Sequence, residues 1–298
     1  MSVLAANIES DAMAMYKDVY NHVTDVGATI EASDVMKASK VLTDNLAPYE
    51  SRCLNLNTQD NLDLVDALKG LYNDQTNVGK NYKEGRVASH TFGYQSIMEN
   101  SLWPQHTTGT DDGTGDYLVN DSGTIAEGST SITTDTGAGT YLIGDIFYFA
   151  SVYAVHPETK ATLTKLKEFT VTANSGTSAT TISFSPALYS SGAKQNVSAM
   201  PANNAALHKN ESDQSTDIAA SADFGVSMAY HKDAFCFATA DLVMPKGVDF
   251  AAREVMDGIS MRIVRDYSIS ADTFPTRIDV LYGYKTVRPE LACRIQMN

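Results

Sequence analysis

The apolar residues of this chain change their period near residue 117, and that change constrains the fold more than any other feature. Upstream, apolar side chains recur at three- and four-residue steps, the spacing of one helix face. From Tyr117 to about Pro201 that spacing disappears. Short alternating or continuous apolar runs take over, separated by Gly, Ser, Thr and Asn turns. From Gly225 onward the runs lengthen. A chain patterned this way reads as α+β, with an all-β barrel or sandwich inserted between a helical start and a sheet-forming end.

The N-terminal pattern predicts three helices. Ile8, Ala12, Met15, Val19 and Val23, extended by Val26, form one stripe that Gly27 stops, which predicts a helix of about seven turns at ~3.6 residues each. Its apolar stripe reaches back to Leu4, only Ser2 is placed to cap it, and Glu9 and Asp11 fall too late for a capping role. Such a helix reads as already under way at Met1. A second helix is expected from a cap at Ser33 through Val35, Met36, Val41 and Leu42 to Asn45, and a third from Thr58 through Leu64, Val65, Leu68 and Leu71, with Gly70 at its end. Between them Arg52 to Asn57 alternates like a short strand. Tyr72 to Arg86 is polar and turn-like. Thr107 to Asp116, with three glycines and three aspartates, reads as a mobile surface loop.

Strands are expected at Ile146–Tyr153, Glu168–Thr172 and Thr180–Ser185. Further strands are expected at Met228–Tyr230, Ala234–Ala240, Ile259–Ile269, Arg277–Tyr284 and Leu291–Met297, the later ones forming an antiparallel meander.

Composition narrows function. At 298 residues and 43% hydrophobic the chain is long enough and apolar enough for a real core. Thirty-six acids against 22 bases give a formal charge of −14, which argues against tight binding to phosphate backbones, since that needs clustered Lys and Arg. An acidic wall beside DNA would instead repel it. No run of about 18 apolar residues is present to span a membrane, and the first residues carry no basic n-region of a secretory signal. Cys53, Cys236 and Cys293 are odd in number and widely spaced, with no CxxC pair. They read as buried free thiols of a protein made in a reducing cytoplasm.

No catalytic pattern is legible. There is no HExxH, and none of His22, His90, His106, His156, His208 and His231 is at helical ligand spacing from another. His22 reads as a packing residue on the first helix and His231-Lys232-Asp233 as a strand-end charge cluster. No GxSxG elbow is present. Gly109, Gly113 and Gly115 lack the Lys-Ser/Thr of a phosphate loop, and Gly137-x-Gly139 leads into a strand. Asp111-Asp112 lie in the predicted loop, where solvation is the simpler reading and a weak Ca²⁺ site the sharper one. Three Asn-x-Ser matches, at Asn120, Asn196 and Asn210, carry no meaning without secretion. No cofactor, metal ligand or catalytic residue is assigned.

The C-terminal third is more specific. Phe235-Cys236-Phe237-Ala238-Thr239-Ala240-Asp241-Leu242 leads to Met244-Pro245-Lys246-Gly247. Asp257 to Arg265, Phe274 to Tyr284 and Arg288-Pro289-Glu290-Leu291-Ala292-Cys293-Arg294-Ile295 follow. Together with Val65 to Leu71 and Ala154 to Lys160, this run resembles the coat-protein family of short-tailed, Salmonella-type podophages, and the resemblance covers essentially the whole chain.

The resemblance implies the capsid fold shared by tailed phages and herpesviruses. Residues 1–27 would be the spine helix, 28–116 the axial domain, 117–201 the inserted β-barrel domain, and 202–298 the peripheral antiparallel sheet and return strands. The N-terminal arm and extended loop that precede the spine helix in that family have no counterpart here, so the chain is expected to fold yet to assemble poorly alone.

The implied function is that of a major capsid protein. Such a subunit self-assembles as hexamers and pentamers into an icosahedral head around double-stranded DNA, is made in the bacterial host cytoplasm, and has scaffolding and portal proteins as further partners. The strand-end charges Arg262, Arg265, Arg277, Asp279, Arg288 and Glu290 are candidates for inter-subunit pairs, against the simpler reading of a solvated sheet face. An acidic, Ca²⁺-assisted surface adhesin and a hydrolase with a dispersed site are the competing readings.

Overall fold

The computed structural model describes all residues except 1, 69–84, 86, 88–89, 112–116, 122, 124, 210, 257 and 298. The expectations placed on Gly70, Leu71, most of Tyr72–Arg86 and 112–116 fall outside them.

In chain order the N-terminal part forms α1 (Ser2–Met13), a 3-10 turn at Ala14–Asp18, β1 (His22–Thr24), α2 (Ala32–Asp44), β2 (Arg52–Leu56), α3 (Thr58–Ala67), β3 (Ser96–Glu99) and β4 (Gln105–Thr107). The middle supplies β5 (Leu118–Val119), β6 (Ser129–Asp135), β7 (Ile146–Val155), β8 (Thr162–Val171), β9 (Thr181–Leu188) and β10 (Leu207–His208). The chain then forms β11 (Asp223–His231), β12 (Phe235–Ala240), β13 (Phe250–Met256), β14 (Ile259–Arg265), β15 (Thr276–Thr286) and β16 (Ala292–Met297). The fold is mixed α/β and mostly β.

Two compact units result. One comprises residues 1–234 and 288–298, the other Phe235–Val287. In the first unit, one six-stranded sheet runs β1-β16-β11-β2-β3, with β4 also paired to β11. β16 lies parallel to β1 (His22 opposite Arg294) and antiparallel to β11. Every residue of β16 is buried, as expected of a central strand covered on both faces.

The first helix is shorter than its apolar stripe predicts. Met15 falls in the 3-10 turn, and Val23 and its neighbours leave the helix to pair with β16. β-branched residues such as Val23 and Thr24 suit a strand as well as a helix, and the tertiary partner decides. α2 starts one residue before the expected cap, with Glu31 N donating to Asp34 Oδ2 at 3.0 Å, and buries Val35, Ala38 and Leu42. α3 is capped by Asn57, whose Oδ1 accepts from Asp60 N at 2.7 Å, in place of Thr58. Arg52 is fully buried and donates from Nη2 to Ala47 O at 2.5 Å and from Nε to Pro48 O at 2.9 Å, closing the chain just beyond α2.

The second sheet of this unit runs β10-β7-β8-β9-β6-β5. Its two edges meet: Val119 N donates to Ala205 O (2.9 Å), and Leu207 N to Tyr117 O (3.0 Å). The strands enclose Phe147, Phe149, Phe169 and Phe184, whose rings pack mostly edge-to-face with centroids 5.2–5.9 Å apart. Among the described residues there is no helix between 117 and 201.

Residues 107–111 depart from the expected exposed loop. Thr108 and Asp111 are buried, and the fully buried Lys209 donates to the carbonyls of Gly109 and Asp111. A Cβ on Gly109 would stand 1.9 Å from Thr140 O, so only glycine fits there.

The second unit is one four-stranded antiparallel sheet, β12-β15-β14-β13. Its β13 is a strand that the sequence pattern did not single out. β16, expected to continue this meander, instead returns to the first unit. Cys53 is half-buried and Cys293 buried as expected, but Cys236 is exposed, because it lies on the edge strand β12.

Candidate functional site

A buried polar seam runs between the two sheets of the first unit. Arg294 on β16 is fully buried. It donates to Val19 O (2.7 Å), Gly144 O (2.6 Å) and Thr170 Oγ1 (3.2 Å), with its guanidinium over the Tyr16 ring. Burial lowers its pKa to about 10, which leaves it charged.

Beside it Tyr16 OH donates to His106 Nδ1 (2.9 Å) and His106 Nε2 faces Asp145 Oδ1 (3.0 Å). Asp145 Oδ2 accepts from Gly109 N and Leu142 N at 2.9 and 2.8 Å. Across the seam His22 Nε2 meets Tyr148 OH at 3.2 Å and its Nδ1 meets Glu168 Oε1 at 3.2 Å, while Lys165 pairs with the same carboxylate. Burial drives both histidines toward the neutral form despite their carboxylates. Burial alone would raise Glu168, but Lys165 and His22 outweigh it and hold it at about 2.

A His–Asp pair touching a Tyr has the residue types of proton-transfer chemistry. Here every member is enclosed and committed to a structural partner. The seam orients one sheet on the other. Among the described residues no three His, Cys, Asp or Glu side chains are placed to hold a metal ion. None of the described helices is long and apolar enough to cross a membrane.

In the second unit, four of the six predicted contact residues engage one another or a near neighbour. Arg262 on β14 pairs with Asp279 on β15 (Nη2 to Oδ2, 2.5 Å), Arg277 meets Asp279 at 2.7 Å, and Arg265 pairs with Asp249 at 2.8 Å. Hydrogen bonds from Arg262 and Arg277 hold the Asp279 carboxyl below its usual range. Arg288 and Glu290 belong to the first unit. Arg288 N donates to Ala234 O at 3.1 Å, and Glu290 O accepts from Asn21 Nδ2 at 3.3 Å.

The strand register gives this sheet two unlike faces. Arg253, Arg262 and Asp279 share one. Phe237, Phe250, Met261, Ile263, Ile278 and Tyr284 share the other, more apolar face, with Arg265 and Glu254 among them, and Phe237, Phe250, Ile278 and Tyr284 are all more than 40% exposed. This apolar face was missed at the level of sequence, although the period-two alternation of β14 and β15 carried the signal. The seam residues Arg294, His106 and Asp145 were missed as well. No local pattern marks them, because their partners are remote in the chain.

A family match over nearly the whole length of the chain gives its class, that of the phage coat-protein families. The chain belongs to the P22 coat protein family, described as P22 coat protein, gene protein 5, whose family model matches residues 3–298. Several solved structures are similar. One is a chain from Mycobacterium phage Che8, with 10% identity and a TM-score of 0.39, covering 99% of this chain and 59% of that one. Another, titled as the capsid structure of the cyanophage P-SCSP1u, has 10% identity and a TM-score of 0.38, covering 99% and 63%. A third, the CUS-3 coat protein I-domain, has 28% identity and a TM-score of 0.23, covering 34% of this chain and 91% of that one. The chain thus spans 59% of the length of the first of these relatives. No curated protein matches the sequence.

Proposed function

We propose that this chain is the major capsid subunit of a tailed phage, assembling through hexamers and pentamers into an icosahedral head around double-stranded DNA. The observation that carries the reading is the family match from residue 3 to residue 298. The layout that goes with it takes α1 as part of the spine helix and residues 28–116 as the axial domain. Residues 117–201 are the inserted barrel, a reading supported by the mutual hydrogen bonding of the sheet's edges around the phenylalanine cluster. The remainder is the peripheral sheet with its return strands.

The apolar face of the second unit suits a protein whose function is association, since exposed apolar area of this kind marks contact surfaces. The candidate pairs, Arg262–Asp279 across the two inner strands and Arg265–Asp249 at the end of β14, are proposed to exchange partners with neighbouring subunits. Scaffolding and portal proteins are the further partners, synthesis is in the host cytoplasm, and no catalysis is proposed. The adhesin reading finds no support. Electron microscopy and velocity sedimentation of the purified protein test the proposal: weak self-association into loose oligomers or capsomers at high concentration is expected, and a strict monomer at every concentration overturns it.

A further inference from the structure

Two adjoining clefts of about 410 and 370 Å³ open where the C-terminal end of α2 meets the turn end of the β7–β8 hairpin. They share Asn45, Val155, Pro157 and Lys167, and the smaller also reaches the 3-10 turn at Pro289–Leu291. Two lysines of the larger cleft are already neutralised: Lys40 pairs with Asp44 at 2.8 Å, and Lys165 pairs with Glu168. Three cations of the smaller cleft have no carboxylate partner among the described residues. Lys167 holds its ammonium 4.2 Å from the centroid of the Tyr20 ring. Lys160 Nζ donates to Gln195 O at 3.2 Å. Arg288 is exposed and is held by its backbone N alone, which donates to Ala234 O.

Lys167 is half-buried, so it is reached from the cleft yet has lost part of its water. Burial draws its pKa down to about 8 against the pull of Glu168, which leaves a protonated ammonium at neutral pH without a close counter-ion. Glu290 lines the same cleft and acts on Lys167 from beyond ion-pair distance. Three cations therefore face one acid, on a chain whose formal charge is −14. Leu46, Val155, Pro157 and Leu291 complete the wall, which suits the methylenes of an acidic side chain. A nucleic-acid backbone suits it less, because the surplus of acids over the rest of the chain repels it. Each copy also carries exposed carboxylates with no ion pair among the described residues, Glu50, Asp217 and Glu254 among them.

We propose that the smaller cleft receives the carboxylate of an acidic side chain from a second copy of this chain, held by Lys167 and Arg288 with Lys160 beside them. Charge complementarity selects that occupant, since one chain supplies both the unpaired cations of the cleft and the surplus of acids outside it. The inference rests on the reading of the chain as a self-associating subunit and gives the chemistry of one contact within it.

Sedimentation equilibrium of the full chain at neutral pH, in about 0.05 M and about 0.5 M salt, tests it. Arg288→Glu should weaken association by about tenfold or more at low salt. Lys246→Glu makes the same change of net charge at an exposed lysine outside the cleft, and should weaken association by less than about twofold. Lys167→Gln should weaken association several-fold. Because Lys167 rests on Tyr20, the exposed Arg288 keeps the test independent of folding. High salt should weaken the wild type and leave Arg288→Glu nearly unchanged. Equal loss in Arg288→Glu and Lys246→Glu overturns the proposal. So does a mobility shift with duplex DNA that Arg288→Glu abolishes while association is unaltered. A wild type that associates no better than Arg288→Glu overturns this contact alone. A wild type that is monomeric at every concentration overturns the subunit reading and the contact with it.

Discussion

Replacing Arg294 by methionine tests whether the polar seam holds the first unit together. The substitution keeps an unbranched chain of similar reach but removes every donor. Val19 O and Gly144 O lose contacts of 2.7 and 2.6 Å, and Thr170 Oγ1 one of 3.2 Å, all in a site closed to water. Hydrogen bonds from a charged donor contribute about 1.5–3 kcal/mol each, and relief of the arginine's own desolvation returns part of that. The net loss should be about 3–5 kcal/mol, a large share of the about 5–15 kcal/mol that keeps a domain folded.

Urea unfolding followed by Trp103, which lies in this unit, would show the midpoint falling by about 1 M or more at an m-value near 3 kcal/mol/M. Arg294→Lys should lose roughly half as much, since an ammonium keeps the charge but not the three-way fork. A loss below about 1 kcal/mol for the methionine variant would show that the three acceptors find other donors and that the seam does not hold the sheets.

Three other outcomes follow from the same structure. His22 and His106 titrate below their unfolded value, so their contribution is present above about pH 6.5 and is lost as pH falls below it, by at most about 1.4 kcal/mol per pH unit each. Asp60, raised to about 6, acts in the opposite sense between about pH 6 and 4, so thermal melts across pH 7.5 to 5 should show a net fall smaller than two histidines alone would give. Gly109→Ala drives a methyl group into the Thr140 carbonyl and should cost more than about 3 kcal/mol in chemical denaturation; near-native stability would show that the backbone there yields freely. Asp279→Asn, in the charge cluster with Arg262 and Arg277, should leave the melting temperature nearly unchanged while weakening any assembly that uses the charged face, as light scattering would report.

Local pattern found the elements that local chemistry decides. α2, α3 and β2 are where their apolar spacing and turn residues put them, and β7, β9, β12 and β15 match their alternating runs to within a few residues. The errors share one cause. Val19 to Thr24 fit a helix stripe, but β16, at the far end of the chain, offers a strand partner that no window can see. The acidic, glycine-rich run beginning at Thr107 reads as solvated, yet Lys209 buries its first half. Arg52 and Arg294 look like surface cations in sequence and are among the largest fully buried side chains of the fold. The candidate contact residues were legible as charges at strand ends, but which of them neutralise one another depends on the β14–β15 register.

The position of β16 also sets an order of events during synthesis. This strand lies between β1 and β11, so the central sheet has a gap until the ribosome has passed Met297 and released the segment from its tunnel. The sheet that encloses the phenylalanine cluster needs nothing beyond β10 for its own strands and can close while translation continues. The nascent chain would then carry a finished module with β1 unpaired and β11 open along the edge that β16 fills, and those edges invite pairing with other nascent copies. A chaperone that shields those edges until β16 has emerged would raise the yield of native protein, and a stop codon just before Ala292 should leave the middle module folded on an aggregating remainder.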